Sequence, residues 1–250
     1  VTYCPLCNTG VAFLRNYDGR ILDFGVSGRL RFSNMIMYDR QTESWWQQAS
    51  GRAIAGEYAG GRLARQPMLM LSFGEAREHA PEARVLSRDT GHNRAYGRNP
   101  YGGYDSGSPF LYRGPSINGE RDPMTRVLMV EAGGVQEPFA YPELRREGLA
   151  QTEVGGVPIV VLFAPKAASP LDASRVAEGE TVGAANAFVA RTKGRVLTFE
   201  ALGEGRYRDR ETGSTWNASG RAVDGSLEGS SLEPADTVQH FWFSYTAFEE

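Results

Sequence analysis

The sequence predicts a mainly β or α+β protein made of internally duplicated antiparallel sheets, with pseudo-twofold symmetry and few short helices. Three observations lead to this prediction. Short runs of β-branched and aromatic residues are bounded by Gly, Asn or Asp, which is the usual pattern of strands joined by tight turns. The chain has 30 glycines among 250 residues and little helical periodicity. Several of the short runs also occur twice, in the same order.

The repeated runs define a first and a second repeat. The matched runs are VTYCP at residue 1 with VLFAP at 161, GRILDF at 19 with GRVLTF at 194, DRQTESWW at 39 with DRETGSTW at 209, and SGRAI at 50 with SGRAV at 219. Two copies with so long a period exclude a solenoid or a propeller. We predict a first repeat at residues 1–80, a connector at 81–121 and a second repeat at 122–250.

The beginning of the first repeat is expected to be incomplete. Residues 122–160 precede the match at Val161, and nothing corresponds to them ahead of Val1. Val1 falls within an apolar strand, so we expect the native chain to extend upstream. A strand edge without its neighbour recruits another strand, which predicts self-association through this edge.

Strand and helix signals follow one another along the chain. The strand signals are Val11–Leu14, Ile21–Phe24, Val127–Val130, Val157–Phe163, Ala187–Ala190 and Val196–Phe199, with a hairpin turn at Tyr17–Arg20. Helix is predicted only at Phe73–Ala80 and Pro142–Glu147, which are followed by Pro81 and Gly148.

The connector is rich in tyrosine and glycine. Tyr96, Tyr101, Tyr104 and Tyr112 stand among Gly, Asn, Pro and Arg. Such a long segment without regular structure is either an ordered loop that wraps the joint between the repeats or a lid over a site near the two cysteines. Both interpretations stay open.

Composition and charge exclude several classes of function. The formal net charge is −3 and the pI is near 5.8, so no nucleic-acid partner is predicted. The longest apolar run, Val157–Pro165, is far shorter than a membrane span, so no transmembrane segment is predicted in these residues. No Walker loop, dinucleotide fingerprint, Gly-x-Ser-x-Gly elbow or His-Glu-x-x-His helix occurs. Whether the protein is an enzyme stays open.

The two cysteines of the chain form the candidate site. Cys4-Pro5-Leu6-Cys7 in the first repeat corresponds to Ala164-Pro165-Lys166-Ala167 in the second. A fold that forms the same unit without cysteine does not need cysteine as scaffold. We therefore predict that the chemistry is asymmetric and belongs to the first repeat.

Three interpretations of Cys4 and Cys7 stay open. The spacing resembles half of a zinc knuckle, which would ligate a soft metal such as Cu or Zn. It is also the spacing of a redox dithiol, although no long helix follows the motif. The third interpretation is a disulfide or two buried thiols. Because two thiolates alone hold a metal weakly, a third ligand is expected from His79, His92, a methionine or the upstream segment.

Several residues are predicted to line the site. Asn34–Tyr38, Gln47 and Gln48 are specific to the first repeat, whose corresponding interval is longer than that of the second. The predicted lining residues are Tyr38, Gln47, Tyr101, His79 and His92.

The motif Asp-Arg-x-Thr-x-Ser is shared by both repeats. Because Asp and Thr commonly cap turns, Asp39 and Asp209 are assigned to turns rather than to catalysis. Trp46 and Trp216, which end the matched run, are predicted to lie in the core.

Unusual motifs occur in a fixed order along nearly the whole chain. They are Val1–Cys7, Phe24–Gly28, Met37–Thr42, Val85–Ser87, Pro100–Tyr101 and Phe241–Phe243. Together they resemble a prokaryotic family known only as a numbered domain of unknown function. The resemblance implies no established reaction. It implies an extracytoplasmic protein, since members often carry export or lipoprotein signals, and an upstream segment that would supply a further ligand or base.

The leading hypothesis is an uncharacterised extracytoplasmic protein that uses Cys4 and Cys7 for soft-metal binding or thiol chemistry. The alternative is a non-enzymatic structural or interaction module with a Cys4–Cys7 disulfide. A reduced pair favours the first hypothesis, and a permanent disulfide favours the second.

Overall fold

The computed structural model describes residues 1–248 of the chain. Strands account for 41% and helices for 12% of the residues, so the predicted mainly β class is confirmed. The described residues form three short α-helices, which are α1 (Phe73–His79), α2 (Tyr141–Glu147) and α3 (Trp242–Phe248). The first two coincide with the predicted helices, and α3 has no counterpart in the prediction. Within residues 1–248, no helix is long and apolar enough to cross a membrane.

Local signals explain where the two predicted helices begin and end. At the start of α1, the Ser72 hydroxyl accepts the N–H of Glu75 at 3.3 Å, and the Glu75 carboxylate accepts the N–H of Ser72 at 2.9 Å. This reciprocal pair is a capping box. Helix α2 has Pro142 in its first turn and ends at Glu147, before Gly148, whose φ of 81° suits glycine.

The strands of the first repeat are short. They are β1 (Thr2–Cys4), β2 (Thr9–Phe13), β3 (Asn16–Tyr17), β4 (Arg20–Ile21), β5 (Phe24–Arg31), β6 (Asn34–Asp39), β7 (Trp45–Gln47), β8 (Ala53–Ala55) and β9 (Arg65–Gln66).

The remaining strands follow the connector. They are β10 (Arg126–Ala132), β11 (Val135–Ala140), β12 (Leu149–Val154), β13 (Val157–Ala164), β14 (Ala184–Val189), β15 (Arg191–Thr192), β16 (Arg195–Val196), β17 (Phe199–Gly203), β18 (Arg206–Asp209), β19 (Thr215–Asn217), β20 (Ala222–Asp224), β21 (Glu233–Pro234) and β22 (Asp236–Phe241).

Two four-stranded antiparallel sheets have the same strand order. They are β5-β6-β7-β8 in the first repeat and β17-β18-β19-β20 in the second. Phe24 lies opposite Asp39 in one sheet, and Phe199 lies opposite Asp209 in the other. The third strand of each sheet also carries a register irregularity. These matched registers support the predicted duplication, which stays a prediction for the chain as a whole.

The shared Asp motif makes the same contacts in both sheets. The Asp39 carboxylate accepts the indole N–H of Trp46 at 2.8 Å, and Asp209 accepts that of Trp216 at 2.9 Å. Each Asp also accepts a backbone N–H from the Thr three residues later. Burial alone would raise the pKa of Asp39, but the Trp46 and Thr donors hold it below its usual range. Both Trp side chains are fully buried, as predicted.

A second pair of sheets contains the cysteine turn and its counterpart. The sheets are β1-β2-β9 and β12-β13-β14-β21. Cys4 lies opposite Thr9 in the first, and Ala164 lies opposite Ala184 in the second. Strand β13 pairs with β12 and β14, whereas β1 pairs with β2 alone in the described residues. Self-association through the β1 edge stays a prediction.

The last strand and helix of the chain return to the cysteine turn. Strand β22 pairs with β10 in the sheet β11-β10-β22, and α3 follows directly. Phe241 and Phe243 pack with Leu6 and both cysteines in one apolar cluster. The fold therefore closes the cysteine site with residues from the opposite end of the sequence.

Candidate functional site

The two cysteines flank a tight turn between β1 and β2. Cys4 ends β1, the 3-10 turn Pro5–Cys7 follows, and β2 begins at Thr9. Proline at the first turn position presets the backbone angle there. Asn8 tolerates the left-handed region, has a φ of 52° and donates its N–H to the Pro5 oxygen at 3.3 Å. The sequence of the motif thus explains why the chain turns at this point.

Cys4 and Cys7 are free thiols that lie 4.2 Å apart. A disulfide requires a sulfur–sulfur bond of about 2.05 Å. The structure therefore contains no Cys4–Cys7 disulfide, while a non-enzymatic structural or interaction module stays a prediction. Cys4 is 2% exposed and Cys7 is 0% exposed, so the protein encloses both sulfurs.

The sulfur of Cys4 is surrounded by hydrogen-bond donors. Hydrogen bonding from the Cys7 thiol and from the backbone N–H groups of Met35, Cys7 and Leu6 acts on its pKa, and the protonated Cys4 thiol donates to the Ser33 oxygen at 3.9 Å. These donors lower the pKa of Cys4 to about 7, although burial alone would raise it. A large share of Cys4 is therefore thiolate at neutral pH.

For Cys7, in contrast, the effects that raise the pKa outweigh those that lower it. Burial raises the pKa of Cys7 well above its usual value, and the neighbouring Cys4 raises it further. The Ser244 hydroxyl and the Asn34 amide donate to the Cys7 sulfur and oppose this rise in pKa. At neutral pH the Cys4 sulfur is therefore partly thiolate, whereas the Cys7 sulfur keeps its proton.

A buried network of amide side chains supports the site from the first repeat. The Asn34 oxygen accepts the Gln47 amide and the N–H of Ala49, and the Asn34 nitrogen donates to Gln48 at 2.8 Å. Gln48 in turn donates to the backbone oxygen of Thr9 at 3.0 Å. The Oε1 atom of Gln47 has no hydrogen-bond partner in residues 1–248. Asn34, Gln47 and Gln48 are among the residues that the repeat comparison marked as specific to the first repeat.

His240 is the histidine that the structure brings to the cysteine turn. Its Nδ1 atom lies 3.2 Å from the Thr9 hydroxyl and 3.1 Å from the Ser244 hydroxyl. Burial lowers the pKa of His240 to about 3, and the charge of Arg65 acts in the same direction. The imidazole is therefore neutral at physiological pH. No local motif marks His240 or Ser244, and sequence analysis missed both.

Part of the connector covers the cysteine turn. The Tyr104 hydroxyl donates to the Leu6 oxygen at 2.9 Å and accepts the N–H of Phe110 at 3.2 Å. The Phe110 oxygen in turn accepts the Ser33 hydroxyl at 2.5 Å. Tyr112 adds an edge-to-face contact with Phe243, with ring centroids 5.3 Å apart. We call residues 104–112 the cover. Its position is compatible with both interpretations of the connector, because it wraps the core and lies over the cysteines.

The predicted lining residues differ in where they lie. Gln47 joins the network through Asn34, which contacts Cys7. Tyr101 is exposed, and its ring centroid is 6.4 Å from that of Tyr104 in the cover. The Tyr38 hydroxyl instead accepts the guanidinium of a surface arginine at 3.1 Å.

The two predicted histidine ligands have other surroundings in the structure. His79 ends α1 and contacts the Ser219 hydroxyl of the second repeat at 2.9 Å. His92 is exposed in the connector. Within residues 1–248, no group of three or more His, Cys, Asp or Glu side chains is arranged to hold a metal ion. The soft side chains that pack against the cysteine cluster are the thioethers of Met35 and Met124.

Comparison with known proteins identifies a family for the chain but no function. The family model described as "Protein of unknown function (DUF3179)" matches residues 1–250. No curated protein and no solved structure matches the chain. The family resemblance expected from the motifs is confirmed.

Proposed function

We propose that this chain, which belongs to the DUF3179 family of unknown function, binds Cu(I) between the sulfurs of Cys4 and Cys7. One observation carries the proposal. The sulfurs belong to a close, reduced pair, and each receives neutral hydrogen-bond donors from the protein. Such donors stabilise negative charge on sulfur, and the thiolate is the form that ligates metals.

The charge of the cysteine pair favours a soft monovalent ion. Above a pH of about 7 the pair carries one negative charge, because Cys4 is then mainly thiolate and Cys7 keeps its proton. Binding of one Cu(I) would displace the Cys7 proton to solvent and leave a bis-thiolate complex with one net negative charge. The donors from Ser244 and Asn34 would then stabilise the newly formed Cys7 thiolate.

The kinds of side chain around the pair favour Cu(I) over Zn(II). A structural zinc site needs four ligands, usually from Cys and His, and residues 1–248 offer no such group here. Cu(I) accepts fewer ligands and prefers thiolates and thioethers. The thioethers of Met35 and Met124 in the same cluster are consistent with this preference.

Thiol–disulfide exchange is a second candidate. The observation that favours it is the Cys4 pKa of about 7 beside a second thiol. In this reaction the Cys4 thiolate would attack a substrate disulfide and release one substrate thiolate. Cys7 would then lose its proton and attack the mixed disulfide, which leaves a Cys4–Cys7 disulfide and the second substrate thiolate. The complete burial of both sulfurs makes this reaction less favoured than binding of a small ion.

Anaerobic titration of the reduced protein with Cu(I), in competition with a chromophoric chelator, tests the proposal. We expect one Cu(I) per chain in the wild type and none in Cys4→Ala or Cys7→Ala. Because alanine occupies the position of Cys4 in the second repeat, Cys4→Ala should keep the circular dichroism spectrum of the wild type. Failure of the wild type to take Cu(I) from the chelator would reject the proposal, and a glutathione redox titration of the same sample tests the exchange reaction.

An extracytoplasmic location is part of the same proposal. It is supported by the family resemblance and needs its own test. Fractionation of cells that express the native gene should recover the protein outside the cytoplasm, with a cytoplasmic enzyme and a periplasmic enzyme as controls. Recovery with the cytoplasmic control would contradict this location.

A further inference from the structure

We propose that a cavity beside α2 binds a small organic monocarboxylate, with two arginines that hold the carboxylate and an apolar wall that contacts the rest of the molecule. The cavity has a volume of about 380 Å³, which is within the range of about 300–1,000 Å³ that is usual for small-molecule sites. The residues that line it are Thr125, Arg126, Tyr141, Pro142, Arg145 and Val182. None of them belongs to the cysteine pair, so this inference goes beyond the proposed Cu(I) site and does not depend on it.

A hairpin brings the two arginines to the same cavity. Arg126 begins β10, and Tyr141 begins α2, directly after β11. Val127 lies opposite Ala140 in the antiparallel pair of β10 and β11, so the start of β10 meets the start of α2. Arg145 lies about one turn further along α2. Regular secondary structure therefore holds both arginines in place.

Arg126 is fixed by contacts that use only part of its guanidinium. Its Nη2 atom donates to the Asp105 carboxylate at 2.9 Å and to the Ser169 hydroxyl at 2.9 Å, and the Phe241 ring lies 5.3 Å from the guanidinium carbon. Within residues 1–248, its Nε and Nη1 atoms donate to no acceptor. Neither atom is among the side-chain atoms that are buried without a partner. These N–H groups are therefore available to a ligand in the cavity.

Arg145 is anchored in a similar way. Its Nη2 atom donates to the backbone oxygens of Val182 at 2.8 Å and of Thr181 at 3.4 Å. These bonds tie the guanidinium to the loop that forms another wall of the cavity. In the described part of the chain, no carboxylate lies within ion-pair distance of Arg145, and its Nε and Nη1 atoms donate to no acceptor. Arg145 therefore offers both an uncompensated charge and free donors.

The charges around the cavity favour a ligand with one negative charge. Arg126 and Arg145 carry two positive charges, and the Asp105 carboxylate compensates one of them. No Asp or Glu of the described residues lines the cavity. The acidic residues of α2, Glu143 and Glu147, are paired with other arginines. One positive charge remains, and guanidinium groups match the planar geometry of a carboxylate.

The remaining wall favours an apolar body on the ligand. Pro142 and Val182 contribute apolar side chains, and Tyr141 contributes its ring. The Tyr141 hydroxyl is already satisfied, because it donates to the Gln239 side-chain oxygen at 2.6 Å and accepts the N–H of Ala185 at 3.1 Å. Small-molecule sites typically combine apolar walls with a few convergent polar groups. The combination found here suits an organic carboxylate better than inorganic phosphate.

Titration of the full, metal-free chain with benzoate, benzamide and inorganic phosphate tests the proposal by NMR. We expect benzoate to shift the backbone amide signals of Arg145 and Val182 and to saturate. Benzamide has the same shape without the charge, and phosphate has charge without an apolar body, so each should bind at least about tenfold more weakly. Equal affinity for benzoate and benzamide, tighter binding of phosphate, or no binding of benzoate would overturn the proposal.

Variants of the lining residues locate the site. Arg145→Gln removes the uncompensated charge and should weaken benzoate binding about tenfold or more. Arg146→Gln is the matched control, because Arg146 lies in the same helix, pairs with Glu147 and does not line the cavity. Val182→Glu places a competing carboxylate on the wall and should also weaken binding. Arg126→Lys keeps the charge beside Asp105 but loses the planar fork, so benzoate should bind it more weakly than the wild type. If Arg126→Lys does not fold, the other variants still decide, since wild-type affinity in both Arg145→Gln and Val182→Glu would overturn the proposal.

Discussion

The Tyr104 hydroxyl donates to the backbone oxygen of Leu6 at 2.9 Å. Leu6 lies between the two cysteines, so this hydrogen bond ties the cover to the cysteine turn. The same phenol oxygen accepts the N–H of Phe110 at 3.2 Å, and the Tyr104 ring lies 6.2 Å from that of Phe241. One side chain thus joins the connector, the turn and the last strand.

Replacement of Tyr104 by Phe should make the cysteines more accessible. The variant keeps the ring contacts but loses the hydrogen bonds to Leu6 and from Phe110, each worth roughly 1 kcal/mol, so opening should rise by at least about fivefold. Alkylation of the reduced protein by iodoacetamide, followed by mass spectrometry, measures this change. Tyr101→Phe is the control, because its exposed ring is adjacent in the connector. Equal alkylation rates in the two variants would show that Tyr104 does not hold the cover closed.

Replacement of Cys7 by Ala should raise the pKa of Cys4. The Cys7 thiol is the strongest of the donors that hold this pKa at about 7, and its loss leaves the cost of burial less opposed. In the wild type, ultraviolet thiolate absorbance should rise as the pH increases through about 7, because Cys4 loses its proton there. In Cys7→Ala the rise should move to higher pH, and in Cys4→Ala it should be absent near pH 7. An unchanged midpoint in Cys7→Ala would contradict the assigned hydrogen bond.

Asp39→Ala and Asp209→Ala should destabilise the protein to a similar degree. Each removes the acceptor for a buried Trp indole, at 2.8 Å in one sheet and 2.9 Å in the other. An unsatisfied buried donor costs about 1–3 kcal/mol, and the matched contacts predict matched losses. Chemical denaturation monitored by Trp fluorescence measures both free energies of unfolding. A large difference between the two variants would argue against equivalent roles in the two repeats.

Gly56→Ala should destabilise the protein more than Gly60→Ala. Both glycines have a positive φ, 95° at Gly56 and 90° at Gly60, so alanine is strained at either position. A Cβ at Gly56 would also lie 2.6 Å from the Ser44 Cα, whereas a Cβ at Gly60 meets open space. Thermal unfolding of the two variants separates the backbone strain from the collision. Equal losses would mean that the Ser44 backbone moves aside at no cost.

The mainly β class and two of the helices were predictable because their signals are local. Strand runs, turn residues and helix caps act within a few residues of one another, as the Ser72 and Glu75 pair illustrates. Repeat comparison added a longer-range signal, since it identified Asn34, Gln47 and Gln48 as specific to the first repeat. The structure places these three residues in one hydrogen-bonded network beside Cys7. Helix α3 was not predicted because it is mostly buried and apolar on several faces, so it lacks a helical polar pattern.

Sequence comparison alone identified Cys4 and Cys7 as the special feature of the first repeat, because alanines stand at the matching positions of the second. Pro5 within the motif and Asn8 directly after it also explain why the chain turns there. The surroundings of the sulfurs, in contrast, come from the packing of the whole chain. Thr9 and His240 are 231 positions apart in sequence but 3.2 Å apart in the structure. A buried polar group forms a hydrogen bond with whichever partner the fold brings close. The spacing of residues along the chain therefore does not predict which partner that is.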